Sequence, residues 1–131
     1  MRDYTKINAW QLADELTVTV YAETRTFPRE ELYGLTSQLR RASSSVPANI
    51  AEGSARGTRK DYLHFLHIAR GSLSEAQYFI HLSSRLGYLE PAPLQKLQQQ
   101  TKSAFACLHG LIRAVENESV VSGQWSVVSS Q

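Results

Sequence analysis

LTSQLRRASSSVPANIAEGSARGTRKDYLHFLHIARGSLSEAQYFIHLSSRLGYL, residues 35–89, is the stretch on which the fold turns. Leu35, Leu39, Ala42, Val46, Asn49 and Gly53 recur at three- and four-residue steps, which gathers them on one face of a helix over about 32–54. Pro47 falls inside that pattern. A proline there lacks the amide that would bond the carbonyl of Ser43, and its ring crowds that carbonyl. The periodicity continues in phase across Pro47, so the spacing predicts one kinked helix, with Ser43, Ser44 or Ser45 satisfying the freed backbone. The alternative is a break into two short helices at Pro47.

Gly53, Ser54, Gly57 and Thr58 mark the next turn, and Thr58 with Asp61 resembles a capping box. A third helix is expected over 59–85, stopped by Gly87. Tyr62, Phe65, Ala69, Ser72, Ala76, Phe79 and Ser83 form one stripe on it. Leu63, Leu66, Ile68, Leu73, Ile80 and Leu82 spread apolar surface beyond the stripe, and a helix apolar on more than one side must bury more than one side. In a four-helix bundle the surplus suggests contact with another subunit.

Outward from this stretch, Ile7, Trp10, Ala13, Thr17, Val20, Thr24 and Phe27 give a first helix over about 7–26, ended by Phe27-Pro28. Pro91 and Pro93 open a fourth helix whose stripe is Leu94, Leu97, Thr101, Ala104, Leu108, Leu111 and Val115, fading near Glu116. Short connections make an all-α, antiparallel up-down-up-down four-helix bundle with a kinked second helix the simplest packing. The bundle domain spans 1–116. Residues 117–131 differ in kind: SVVSGQW is followed by SVVSSQ, with no charge after Glu118, and a disordered repeat tail is expected, with a weak β-aggregation or docking peptide as the other reading.

At 131 residues the chain is one domain's worth, and 42% hydrophobic residues can supply a core. The net charge of +2 is too small to demand a nucleic-acid partner, but residues 36–74 hold six basic and two acidic side chains. The single cysteine, Cys107, reads as a small buried hydrophobe and implies no disulfide. The N-terminus lacks the apolar core of a signal peptide, and no apolar run approaches the ~20 residues of a membrane span. The expectation is a cytoplasmic protein without membrane contact.

Two constellations could carry function. The first is basic: Arg40, Arg41, Arg56, Arg59, Lys60 and Arg70. Arg56 and Arg59, with the amides opening the third helix, could hold phosphate, for which arginine is suited by its bidentate geometry. A solvated, salt-bridged surface is the plainer reading. The second is polar: Asn49 and Glu52 on the second helix, Ser72 and Glu75 on the third. These are expected to form a network that fixes how the two helices pair, with Arg40 or Arg41 as counter-charge. Pro47, Gly53 and Gly71 complete the set as kink and close-packing positions, Gly71 because a mid-helix glycine costs about 1 kcal/mol unless another backbone approaches it. No nucleophile or histidine accompanies Glu52 and Glu75, so acid–base catalysis is not expected. The Glu-x-x-His pairs of a di-metal bundle are missing, and His64 and His67 have no acidic or cysteine companion, so no metal is expected. No phosphate loop, GxSxG or HExxH occurs, and no cofactor is implied.

Gln38–Ala42 (QLRRA), Val46–Gly53 (VPANIAEG), Arg56, Phe65–Ala76 (FLHIARGSLSEA) and Leu86–Leu89 (LGYL) closely resemble the bacterial four helix bundle protein family. That family includes proteins encoded in intervening sequences of large-subunit ribosomal RNA genes and the accessory variability determinant of diversity-generating retroelements. The resemblance implies a ring-like homopentamer with a basic surface able to engage RNA, DNA or a nucleic-acid enzyme such as a reverse transcriptase. Arg40, Arg41, Asn49, Glu52, Gly53, Arg56, Gly71, Ser72 and Glu75 match its motifs, most of them as structural or intersubunit positions. The reading is therefore a non-enzymatic, homo-oligomeric bundle that binds nucleic acid or a nucleic-acid enzyme through a basic patch. The alternative is a protein-interaction scaffold whose arginines serve subunit contacts.

Overall fold

In the computed structural model, residues 2–118, 120–121 and 124–125 are described. Four helices account for the bundle: α1 (Asn8–Glu23), α2 (Leu35–Ser54), α3 (Arg59–Arg85) and α4 (Pro91–Glu116). α1 passes into a 3-10 turn at Thr24–Thr26, and Phe27-Pro28 then leads the chain outward in extended conformation. A second 3-10 turn at Arg29–Glu31 precedes α2, so α2 starts at Leu35 and not near residue 32. Thr58 caps α3 by accepting the Asp61 amide at 3.1 Å. Gly87, at φ +78°, closes α3, where the Tyr88 amide donates to Ser83 O at 2.9 Å and the Gly87 amide to Ser84 O at 3.0 Å. Only glycine adopts that left-handed turn at little cost, so Gly87 fixes where α3 stops. Pro91 opens α4, where its missing amide has no helical partner to lose.

α1 packs against α2 and α4, and α3 against the same two helices, with α2–α3 the most extensive pair. This is the antiparallel up-down-up-down bundle. Its centre is sealed by Leu16, Leu39, Ile50, Leu66, Leu73, Ile80, Leu97, Leu108 and Leu111. The α4 stripe is buried except for half-buried Leu94. On α3 the buried line is Tyr62, Leu66, Ala69, Leu73, Ala76, Ile80 and Ser83. Phe65, Ser72 and Phe79 sit half-buried at its edge. Tyr62, Ala69, Ala76 and Ser83 are buried as expected, while Leu66, Leu73 and Ile80 take the places expected of Phe65, Ser72 and Phe79, so this apparent surplus lies inside the protomer's own core. Ile68 and Tyr78 stay on the outer surface.

α2 runs unbroken through Pro47. The carbonyl of Ser43, one turn back, accepts a hydrogen bond from the Thr17 hydroxyl of α1 at 3.0 Å. The neighbouring helix, not the serine run, supplies this donor. Ser43 and Ser44 instead bond the carbonyls of Arg40 and Arg41, at 3.1 and 3.2 Å.

Beyond α4, Val120–Val121 (β1) pairs antiparallel with Gln124–Trp125 (β2), Val120 opposite Trp125 and Val121 opposite Gln124. Otherwise the expected disorder of the repeat tail lies outside the described residues.

Candidate nucleic-acid interface

The close α2–α3 seam divides the polar residues. Gly53 is buried against α3: a Cβ there would sit 3.0 Å from Phe65 Cβ, 3.0 Å from Tyr62 Cδ1 and 3.2 Å from Tyr62 O. One helix turn and more along, Ser45 and Ser72 share a hydrogen bond of 2.9 Å. The Asn49 amide nitrogen donates to Ser45 O at 2.8 Å and to Ser45 Oγ at 2.9 Å. The interhelical network is therefore Asn49–Ser45–Ser72, with Ser45 as its centre. Glu52 and Glu75 do not join it. Glu52 is exposed and pairs with Arg56 one turn on at 2.7 Å, the one ion pair among the described residues, and Glu75 is exposed. Both carboxylates stay in water because each lies on the outer side of its helix, where burial gives it no reason to find a hydroxyl. Gly71 is also exposed, and a Cβ added there would meet nothing within 4 Å, so no backbone of the same protomer explains it.

The basic residues do not form one patch. Arg40 and Arg56 are sixteen residues apart on or just beyond α2, about 24 Å at the helical rise of ~1.5 Å per residue. At the α2–α3 end the guanidinium groups are occupied. Arg2 donates to the free carbonyls ending α2, Ser54 O at 2.7 Å and Arg56 O at 3.2 Å, and lies 4.8 Å from the Tyr62 ring centre. Arg56 pairs with Glu52 and lies 4.6 Å from the centre of the Phe65 ring. Arg59 donates to Glu116 O at 3.4 Å and to Glu118 O, capping α4. Helix C-termini expose unpaired carbonyls and a partial negative charge, which is why arginines settle there. The expected phosphate cradle of Arg56, Arg59 and the α3 amides is thus spent on the fold. Lys60 is exposed beside it, and Arg70, half-buried midway along α3, hydrogen-bonds His67 Nδ1 at 3.0 Å. Among the described residues no three His, Cys, Asp or Glu side chains come together to hold a metal, and no helix is long and apolar enough to cross a membrane. Cys107 is half-buried, and burial pushes its thiol up from the ordinary range.

Arg40 and Arg41 lie at the other end. They line an open groove of about 470 Å³ with Tyr21, Leu32, Tyr33, Thr36, Ser37 and Ser44. Arg40 is held in place: Nε donates to Thr24 Oγ1 at 2.8 Å, Nη2 reaches Tyr21 O at 3.4 Å, and the guanidinium lies 4.7 Å from the Tyr21 ring centre. Arg41 is exposed. Leu32 and Tyr33, on the connection before α2, are 47% and 93% exposed, and Tyr21 is 45% exposed. A fixed cation, a free cation and three exposed apolar groups thus share one surface. The tyrosines and Leu32 escape a reading of the 35–89 stretch because they precede it. The signal that points to them is a Leu-Tyr pair in a turn that no helical stripe requires.

The family model for the 23S rRNA-intervening sequence protein matches residues 5–110. The fold is similar to that of a crystal structure from Bacteroides thetaiotaomicron VPI-5482, a protein with unknown function from the S23 ribosomal protein family. The TM-score is 0.74 at 22% identity, covering 82% of this chain and 98% of that one. No curated protein matches the chain. The family match includes all of α1, α2 and α3 and most of α4, and so the chain belongs to the 23S rRNA-intervening sequence protein family.

Proposed function

We propose that this protein is a non-enzymatic, self-associating helical bundle that binds nucleic acid through the groove of Tyr21, Tyr33, Arg40 and Arg41. The observation that carries this reading is the state of those two arginines. Arg2, Arg56 and Arg59 cap helix ends or pair with a carboxylate and Arg40 is fixed on Thr24 Oγ1 and Tyr21 O, while Arg41 beside it projects into water. Arginine beside exposed aromatic rings is the surface chemistry of nucleic-acid contact, combining phosphate neutralisation with stacking. Membership in a family named for intervening sequences of 23S rRNA agrees with it. Self-association is supported by the outer face of α3, where Ile68 and Tyr78 are exposed around the open Gly71. The ring of five that the family resemblance implies is the form proposed.

The test is binding of fluorescently labelled RNA and DNA across a salt series. Each phosphate neutralised contributes about 0.9 to the slope of log K against log salt on duplex DNA. Arg41→Ala should weaken binding and reduce that slope by about 1. Absence of binding to any nucleic acid at low salt overturns the reading. Light scattering on the same variant separates the scaffold alternative: if Arg41→Ala releases protomers and leaves nucleic-acid affinity untouched, the arginine serves subunit contacts.

A further inference from the structure

We infer that the groove takes an unpaired nucleotide, with its phosphate at Arg40, Arg41 and the first turn of α2 and its base stacked on Tyr33; this deepens the nucleic-acid reading and rests on it. Two observations point to it independently. The first is Thr36. Buried helical threonines satisfy their hydroxyls on the carbonyl one turn back, as Thr19 does on Glu15, Thr24 on Val20 and Thr101 on Leu97, at 3.1, 2.7 and 2.7 Å. Thr36 lines the groove, is 3% exposed, and its Oγ1 has no hydrogen-bond partner. An unpaired buried hydroxyl is costly, and sites that bind polar ligands are where such groups persist. It stands in the first turn of α2, whose N-cap residue Gly34 brings no capping side chain. The Leu35 amide donates to Glu31 Oε1 at 3.2 Å, and the amides of Thr36 and Ser37 follow it. Glu31 already takes the first amide, so the groups left for a phosphate are the Thr36 hydroxyl and the Arg40 and Arg41 guanidinium groups, which line the same groove.

The second observation is Tyr33. A ring 93% exposed beside Leu32 gains nothing from the protomer's core, and its only available contact is with something outside. Paired bases hide their faces in the duplex stack. A ring standing free at a groove's rim can stack only on a base that is not stacked already. The groove, about 470 Å³ and open to solvent, has room for one nucleotide unit.

The experiment uses the full chain at low salt with two labelled probes, a short oligouridylate and a blunt duplex of equal length. The single strand should bind at least about tenfold more tightly, the order expected for one stacked base. Tyr33→Leu should abolish that preference and Tyr33→Phe should retain it, and so exposed a side chain can change without disturbing the fold. Thr36→Val should weaken both probes alike, as a phosphate contact does. Equal affinity for the two probes, or an unchanged preference in Tyr33→Leu, overturns the unpaired-nucleotide site while leaving general nucleic-acid binding standing. Failure of both probes to bind overturns the two readings together.

Discussion

Two glycines on adjacent helices meet opposite surroundings, and their substitution should have opposite signs. At Gly53 a methyl group would press on Phe65, Tyr62 and the Tyr62 carbonyl at 3.0–3.2 Å. Overpacking of this kind costs about 1–3 kcal/mol, against the ~1 kcal/mol that alanine gains in helix propensity. Gly53→Ala should therefore lower stability, by up to about 2 kcal/mol, in urea denaturation. At Gly71 the same methyl meets nothing, so Gly71→Ala should stabilise an isolated protomer by up to about 1 kcal/mol. If it instead disperses an assembled form seen by light scattering, a second copy occupies that position. Tyr62 offers a residue-scale test by pH. Burial pushes its hydroxyl up to about 12, with Arg2 opposing weakly. An unfolded tyrosine loses its proton near 10, so between pH 10 and about 12 the native state holds a proton that the unfolded chain has released. Stability should be unaffected by this group below pH 10 and fall by about 1.4 kcal/mol per pH unit above it. Tyr62→Phe should remove that part of the alkaline slope.

At the scale of elements, one link between α1 and α2 is the Thr17 hydroxyl, shared between Ala13 O of its own helix at 2.9 Å and Ser43 O of α2 at 3.0 Å. Thr17→Val leaves Ser43 O without its donor and should cost about 1–3 kcal/mol. In a Pro47→Ala background residue 47 regains an amide that can bond Ser43 O, and the same threonine change should cost less. A double-mutant cycle by urea denaturation should show coupling of about 0.5–1.5 kcal/mol. The sequence shows that a donor is needed, because Pro47 is visible in it. Which residue supplies that donor depends on how α1 lies across α2, which a linear pattern does not hold. The same limit explains α3. Its bounds are readable from Thr58 and Gly87, whose local chemistry acts within a turn. Its buried line is misplaced by one residue at Phe65, Ser72 and Phe79 because these share the spacing of Leu66, Leu73 and Ile80, and only the neighbouring helices choose between them. At the candidate site Arg40 and Arg41 are legible, while Tyr21 and Tyr33 reach them only through the α1–α2 connection. Glu52 and Glu75 look like network members by spacing, yet Ser45, shorter and nearer the seam, takes the place.

At the scale of the molecule, the two ends of the bundle have different chemistry. The α2–α3 end spends Arg2, Arg56 and Arg59 on helix termini and a carboxylate, which closes it electrostatically. At the α1–α2 end Arg40 closes α1 through Thr24 Oγ1 and Tyr21 O, and Arg41 stays exposed. That end is also tied by Glu31, which accepts from the Leu35 amide and, at 3.0 Å, from the Tyr88 hydroxyl. That bond to a carboxylate, with burial, raises the Tyr88 hydroxyl above its ordinary range. Thr17 and Ser43 carry a consequence for the choice among competing folds. Four amphipathic helices can close into a bundle of either hand, and their apolar stripes barely distinguish the two. In the mirror arrangement α1 would lie on the opposite flank of α2, and Thr17 would no longer face the carbonyl vacated by Pro47. The proline thus works as a handedness check: it penalises the wrong-handed bundle at one atom and leaves the right one nearly undisturbed.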